Sequence, residues 1–549
     1  MCTFLILKNA VKDKEKINKQ YYYKLYLQFT YEIFIFLISK KFKELIMRTK
    51  YFTLFIILIL IASIAFSQPG KPDTKNLSIT EIDKFITEIM EEWKVSGLSI
   101  AVVKGDSVVI LKGYGLRDIK NKLPVTPQTL FGIASCTKAF TCTGLGILAD
   151  EEKLTFGKTV KEVIPEFALS ESYATERITI RDLVTHQSGL ARHDRLWYMS
   201  PFSRSELLHR MRFLEMNRDL HQSYQYNNLM YAVAGVAIER ASGTTWEEFT
   251  KKNILDPLSM TNTYLSINDL KVNSNHALPY GESKGKVDII PYCDLDAAGP
   301  CGSINSTAED MSKWLTMNMN KGKYNDKQII SEKSLKEIHS PQMVSSKSMD
   351  NEELYYSMYG MGWGITLYRN NLMISHTGSI DGYASLVTFL PNEKFGIVVL
   401  TNLEGNGIHR TIAYNIFDKY LGLEPVKWNE RARERAEKNK ESELRSKKRE
   451  DSIQVKNTKP SKELSVYTGE YENPAYGKVT VKLDKGKLSL HYNYYVYRLE
   501  HYHYDIFTAI IEEWDDYKKV KFDLNKNGNV ETLLIPFESS VKDIVFKKK

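Results

Sequence analysis

Ser135-Cys-Thr-Lys138 is where residue types and spacing first combine into a chemistry. A hydroxyl and an amine three residues apart share one face of a helix. The run after them, Ala-Phe-Thr-Cys-Thr-Gly-Leu-Gly-Ile-Leu-Ala, has the texture of a buried helix. At its first turn the hydroxyl sits at the positive end of the helix, where a developing alkoxide is favoured. A lysine held away from water has its pKa lowered and can take the hydroxyl proton. The chemistry expected is acyl transfer through an activated serine. The spacing alone is not specific. Ser283-x-x-Lys286 and Ser539-x-x-Lys542 repeat it in polar segments with no buried helix behind them. An ordinary helix cap is the other reading of Ser135.

Two further groups of residues bear on the same chemistry. Tyr226-Asn-Asn228 precedes a helix expected over Leu229–Ser242. A tyrosine at such a junction can bring its hydroxyl into a shared site, and Asn228 can hydrogen-bond both a lysine and a substrate carbonyl. A surface tyrosine and an asparagine cap are the alternative. His376-Thr-Gly-Ser379 ends a strand-like run, Met373-Ile-Ser. Gly378 removes a side chain where a ligand can approach closely. The backbone N–H of Ser379 can then join that of Ser135 as a two-donor oxyanion hole. A strand end with an exposed histidine is the alternative here.

These residues need elements to position them. Thr80-x-x-Asp83 opens a helical pattern running to Trp93. Leu98–Val103 and Val108–Leu111, around Lys104-Gly-Asp-Ser, read as a hairpin. Leu372–Ser375, Ala384–Leu390 and Gly396–Leu400 form a second strand group, with Pro391-Asn-Glu-Lys as the turn between its last two members. The chain between the groups is mainly helical, Ala308–Met319 included. The architecture expected is α+β: one antiparallel sheet built from both ends of the domain, flanked by helices, with a helical block inserted. Residues 425–463 hold a charged stretch that cannot bury a face, a solvated helix or linker. Residues 464–549 contain short alternating runs of a small all-β domain.

In the order Ser-x-x-Lys, Tyr-x-Asn, His-Thr-Gly, the chain resembles the serine beta-lactamase family. The nearest branch is the class C-like one, with its D,D-peptidases, D-aminopeptidases and esterases. Leu183-Val-Thr-His-Gln-Ser-Gly-Leu, Gly302-Ser-Ile-Asn-Ser-Thr-Ala-Glu-Asp-Met, Tyr359-Gly-Met-Gly-Trp-Gly and Gly382-Tyr with Leu390-Pro are similar to that branch too. The likeness covers about residues 76–424. Tyr467-Thr-Gly-Glu-Tyr and His503-Tyr-Asp-x-Phe resemble a small β domain found behind such hydrolases. The resemblance implies an ester or amide hydrolase, peptides with D-residues among its substrates, working through a Ser135 acyl-enzyme. Lys138 and Tyr226 would move protons, Asn228, His376, Thr377 and Gly378 would hold substrate, and no metal or organic cofactor is implied. A penicillin-binding receptor that acylates with little turnover is the alternative. The implied partner is a small molecule or peptide, cell-wall fragments among them. Where relatives carry Lys in the third motif, this chain has His376, expected to be largely neutral near pH 7. Substrates without an essential carboxylate are therefore expected.

Charge and cysteine narrow the setting. Residues 1–50 hold 11 Lys/Arg against 4 Asp/Glu and so carry +7 of the formal +8, which leaves no basic surface for a nucleic acid. Residues 47–67 read as a secretory signal: Arg48 and Lys50, an apolar run from Phe52, and Ala65-Phe-Ser67. An exported protein, periplasmic or extracellular, is expected, with an uncleaved membrane anchor as the alternative. Residues 1–46 read as an extension ahead of the true start at Met47. Cys293 and Cys301 flank a probable loop and are candidates for a disulfide. His501, His503 and Asp505 have metal-ligand types, but interleaved Tyr and Phe favour a β core.

Overall fold

The computed structural model describes residues 27–32, 35, 77–283, 285–346, 352–512 and 516–549. The chain divides between Asn76 and Leu77 into two units. In the first, residues 27–32 and 35 are helical and exposed. The expected signal at 47–67, and most of the expected extension at 1–46, lie outside the described residues. No described helix is long and apolar enough to cross a membrane.

The second unit opens with α1 (Ile79–Glu92), which buries Ile82, Ile86, Ile89 and Met90 on one stripe. Its cap is Ser78, whose hydroxyl accepts from the Glu81 N–H, not the Thr80–Asp83 pair. Asp83 instead accepts from Lys112 Nζ at 2.7 Å and Tyr114 at 2.6 Å. Then come β1 (Gly97–Lys104), β2 (Ser107–Asp118) and β3 (Leu123–Pro124). The late strands are β4 (Met343–Val344), β5 (Leu354–Tyr359), β6 (Gly364–Tyr368), β7 (Asn371–Ile380), β8 (Tyr383–Leu390) and β9 (Phe395–Thr401). Together they make one nine-stranded sheet in the order β4-β5-β6-β7-β8-β9-β1-β2-β3. β9 pairs antiparallel with β1 from Leu98 opposite Thr401 to Lys104 opposite Phe395, joining the two ends of the domain. Every residue of β8 and β9 is buried. That is why their sequences are near-continuous apolar runs rather than alternating ones.

Helices cover both faces. α1 and α5 (Ile408–Leu421) share one core cluster with the sheet. On the other face lie α2 (Thr137–Asp150), α3 (Asn228–Ser242) and α4 (Ala308–Met319). α2 is buried from Thr137 to Leu148, as its all-round apolar sequence requires. The fold is thus mixed α and β with a large antiparallel sheet.

The charged stretch forms α6 (Trp428–Ser452), 25 residues with only Trp428 buried. Its contacts reach both ways: Arg433 pairs with Glu92 at 2.7 Å, and Lys447 lies over the Tyr517 ring at 4.3 Å. After it comes a closed barrel of eight strands, β10 (Gly469–Asn473), β11 (Gly477–Asp484), β12 (Lys487–Tyr492), β13 (Tyr495–His503), β14 (Ile506–Ile511), β15 (Asp516–Leu524), β16 (Val530–Ile535) and β17 (Ile544–Lys548). Pairing of Tyr471 with Lys548 closes it, which removes the exposed edges an open sheet would have. Alternation fills it: Tyr495, Tyr497 and Leu499 point inward, and Val496 between them is 54% exposed.

One expectation is corrected here. Cys293 and Cys301 are both buried as free thiols and form no disulfide. Cys301 ends the 3₁₀ segment Asp296–Cys301, and its carbonyl is turned to Lys138. His501, His503 and Asp505 are each held by local bonds, to Tyr504 O, Val455 N, and Ser461 with Tyr467.

Candidate active site

Ser135 lies in a 3₁₀ turn, Ala134–Cys136, that runs straight into α2. Ala134 just before it has φ +45°, a left-handed conformation that costs a non-glycine residue roughly 1–3 kcal/mol. The turn is held from outside: Ile133 N donates to Ile304 O at 2.9 Å, and Thr137 Oγ1 accepts from Ile304 N at 3.2 Å.

Lys138 is fully buried on the first turn of α2. Its Nζ donates to Ser135 Oγ at 3.1 Å and to the Cys301 carbonyl at 2.7 Å. Burial, helped by the nearby charge of Arg192, pulls its pKa down to about 8. Gly362 accounts for part of the Tyr359–Gly364 segment. A Cβ there would stand 2.8 Å from Lys138 O, and its φ of +72° suits glycine.

Tyr226 stands beside Ser135 and Lys138. Its ring lies under Lys138 Nζ at 4.8 Å and the Arg192 guanidinium at 5.1 Å. The His186 ring packs against it at 4.2 Å. Burial pushes the Tyr226 pKa up, and the hydrogen bond with Ser135 opposes this only in part. His186 Nδ1 accepts from the Asn227 N–H at 3.1 Å, which puts its proton on Nε2. Burial holds that imidazole well below the usual histidine pKa.

The adjacent asparagines divide their roles. Asn227 is the cap of α3, accepting from Met230 N at 3.0 Å and donating to the Leu190 and Ala191 carbonyls. Asn228 lies within the helix, and its Nδ2 donates to Asp194 Oδ1 at 3.4 Å. Its Oδ1 is buried without a hydrogen-bond partner. The expected bond between Asn228 and Lys138 is therefore not made.

His376 is buried, not an exposed strand end. Nδ1 lies 2.7 Å from the Thr377 carbonyl, which can only accept, so Nδ1 carries the proton and Nε2 accepts from Tyr359 at 3.0 Å. Burial brings its pKa down to about 3, so it is neutral near pH 7. A cation stands close by nevertheless: Arg410 Nη2 on α5 is 3.4 Å from Thr377 Oγ1. Gly378 is explained differently from the expected ligand approach. A Cβ there would meet Ile133 O at 2.1 Å and Ser385 Oγ at 2.3 Å, so what comes close is the turn bearing Ser135. β6 begins at Gly364, opposite Ser375, so among the described residues the end of β7 from His376 to Ile380 has no strand partner on that side. Ser379 is exposed there, its Oγ 3.5 Å from Glu404.

The structure thus brings Ser135, Lys138, Tyr226, Asn228 and the end of β7 together. Tyr226, His376, Thr377 and Arg410 line one end of an open groove of about 1260 Å³. Ser283 and Lys286 stand on a separate small hairpin, Tyr280–Ile289, and Ser539 lies in a turn beyond β16. Sequence reasoning missed Arg192, Asp194 and Arg410. The charged run Arg192-His-Asp-Arg195 was the available signal for the first two.

The family model for Beta-lactamase matches residues 82–421. A second, for a domain of unknown function (DUF3471), matches residues 454–548. The chain is 27% identical over 423 residues to the unguisins hydrolase ungD′ of Aspergillus campestris, covering 73% of this chain and 77% of that protein. It is 28% identical over 347 residues to protein flp of Staphylococcus aureus, covering 62% of this chain and 66% of that one. The octameric penicillin-binding protein homologue from Pyrococcus abyssi has a similar fold, with a TM-score of 0.59, 23% identity, and coverage of 86% of this chain and all of that one. With the first family model spanning most of the chain, the protein belongs to the beta-lactamase family of serine hydrolases, followed by a C-terminal all-β barrel.

Proposed function

We propose that this chain is an exported serine hydrolase that cleaves an ester or amide through an acyl-enzyme on Ser135. The observation that carries the proposal is the 3.1 Å approach of a buried, acid-shifted Lys138 Nζ to Ser135 Oγ. A deprotonated amine at that distance takes the hydroxyl proton as Oγ bonds to the substrate carbonyl carbon. The carbonyl electron pair moves onto oxygen, where the backbone N–H groups of Ser135 and Ser379 receive it. As the tetrahedral species collapses, the bond to the leaving group breaks and Tyr226 passes it a proton. Water then releases the acyl group by the reverse sequence. Asn228 takes part through its unpartnered Oδ1, an acceptor, and so suits a substrate N–H rather than the carbonyl first expected. A relative named as a hydrolase supports turnover over stable acylation. The signal-like segment at 47–67 supports export.

The test is intact-protein mass spectrometry after a fluorophosphonate and, separately, a fluorescent penicillin, beside Ser135→Ala. An adduct with either probe that Ser135→Ala abolishes is the expected result. No adduct on the native protein with either probe would overturn the proposal. A penicillin adduct that persists would favour the receptor.

Neutral His376 supports substrates lacking a carboxylate, whereas Arg410 beside Thr377 favours a second reading, in which α5 supplies the charge that His376 lacks. Under that second reading, Arg410→Ala raises KM for a carboxylate-bearing ester by about tenfold or more and leaves a neutral ester unchanged, since a charge-assisted hydrogen bond contributes about 1.5–3 kcal/mol. Equal KM changes for the two esters would exclude it.

A further inference from the structure

The family comparison leaves the barrel without a function, yet beside its contacts with Arg210 and Asn217 several of its bonds fall on one short segment, residues 192–195. His193 sits there with φ +46° and ψ +39°, left-handed for a residue with a Cβ. Such a conformation persists only where its surroundings over-determine it. Those surroundings are largely the barrel and the loop that closes it. The His193 N–H donates to Glu538 Oε2 at 2.9 Å. The His193 ring donates from Nε2 to the Glu215 carbonyl at 3.1 Å, so Nδ1 accepts from the Tyr476 hydroxyl at 2.9 Å. Two residues on, Arg195 Nη2 pairs with Asp516 at 2.7 Å, its guanidinium lies over the Tyr495 ring at 4.5 Å, and its carbonyl accepts from Tyr492 at 3.0 Å.

The alternate residues of the same segment face the candidate active site. Asp194 Oδ1 accepts from Asn228 Nδ2, and Oδ2 accepts from Arg192 Nε at 2.7 Å. Arg192 in turn lies over the Tyr226 ring, and its charge contributes to holding the Lys138 pKa down. The barrel therefore grips His193 and Arg195, while Arg192 and Asp194 between them hold Tyr226 and Asn228. Glu538 and Asp516 lie 345 and 321 residues from the groups they bind, so these two holds on the segment exist only when the barrel is folded against it.

We propose that the C-terminal barrel is a positioning domain for the acylation site, acting through residues 192–195 on Tyr226 and Asn228. This rests on the reading of Ser135, Lys138 and Tyr226 as the acylating group. Glu538 and Tyr476 are positioning residues: they touch no reacting atom and act through His193.

The test uses the full chain and measures the rate of fluorophosphonate labelling of Ser135 against pH. The variants are Glu538→Ala with Tyr476→Phe, Glu538→Gln alone, and Phe522→Leu. The last lies in the barrel core against Tyr467, Tyr471 and Phe507 and serves as a stability control. A misplaced catalytic group costs on the order of tenfold to hundredfold in rate, and that loss is expected in the double variant. Its apparent pKa should also shift from the native value, because Arg192, which opposes protonation of Lys138, and Asp194, which favours it, no longer sit in place. Glu538→Gln, which keeps an acceptor oxygen, should recover most of the rate that the double variant loses. Phe522→Leu should lower the melting temperature and leave rate and apparent pKa in place. A folded double variant with native rate and pKa would overturn the proposal. So would a Phe522→Leu protein that slows equally, since the effect would then be one of stability. If the native protein takes no label at all, it is the reading of the acylating group that fails, and the positioning proposal falls with it.

Discussion

Lys138→Met is expected to slow acylation of Ser135 on the order of 10³-fold, the scale of a lost general base, without lowering the melting temperature at pH 7. Methionine keeps the buried stem and removes the amine. The argument on rate is direct: Nζ lies 3.1 Å from Ser135 Oγ, and with a pKa of about 8 it is substantially deprotonated in mildly alkaline water. Native acylation should rise with pH along a limb centred near 8, and that limb should vanish in the variant. The argument on stability comes from the same shift. The folded pKa of about 8 lies below the ordinary 10.5, so below pH 8 the fold carries a buried ammonium at a cost of roughly 3 kcal/mol. Between pH 8 and 10.5 the unfolded chain binds more protons than the folded one, so native stability rises with pH across that window. The variant escapes the cost but leaves the Cys301 carbonyl without a donor, an offset of about 1–3 kcal/mol. Denaturant titration should therefore find the variant at least as stable as native at pH 7. Its standing relative to native should worsen by roughly 2–3 kcal/mol by pH 10. A pH-independent difference would show that Lys138 is not acid-shifted.

How far the sequence carried this site depends on how local each signal is. The Ser135–Lys138 pair was legible because its geometry is set within one turn of α2, whose all-round apolar sequence announces burial. The sheet was legible for a similar reason: β8, β9 and β1 are apolar runs at opposite ends of one domain, and runs buried on both faces need each other. Asn227 and Asn228 were harder. They are the same residue type, and a one-residue shift in the start of α3 decides which caps the helix and which faces Asp194. Gly378 was read as a place where a ligand approaches, but the approaching atom, Ile133 O, is backbone and leaves no mark in sequence. Arg410 and the barrel contacts of His193 and Arg195 depend on pairings across tens to hundreds of residues, which no periodicity encodes. Cys293 and Cys301 mislead for the converse reason: sequence proximity suggests pairing, whereas both thiols are buried and free.

Tyr226→Phe separates the two proton carriers, which sequence leaves equivalent. The change removes one buried hydroxyl beside Ser135 and keeps the ring that packs against His186 and under Arg192. Loss of a positioned proton donor is expected to lower kcat for an ester on the order of 10²-fold or more. KM should change little, because the hydroxyl acts on the leaving group and not on the bound carbonyl. The pH profile decides the role. Burial places the Tyr226 pKa above the range in which the enzyme is assayed, so the phenol stays protonated through pH 9. A residue that does not titrate cannot set the alkaline rise, and the apparent pKa near 8 should survive in Tyr226→Phe although the rate has fallen. If the limb disappears with the hydroxyl, a tyrosinate held by Lys138 and Arg192 is the base, and the amine is its electrostatic support. The same measurement on Lys138→Met then gives the complementary answer: the limb is lost if lysine is the base, and displaced upward if its charge had been holding the phenol down.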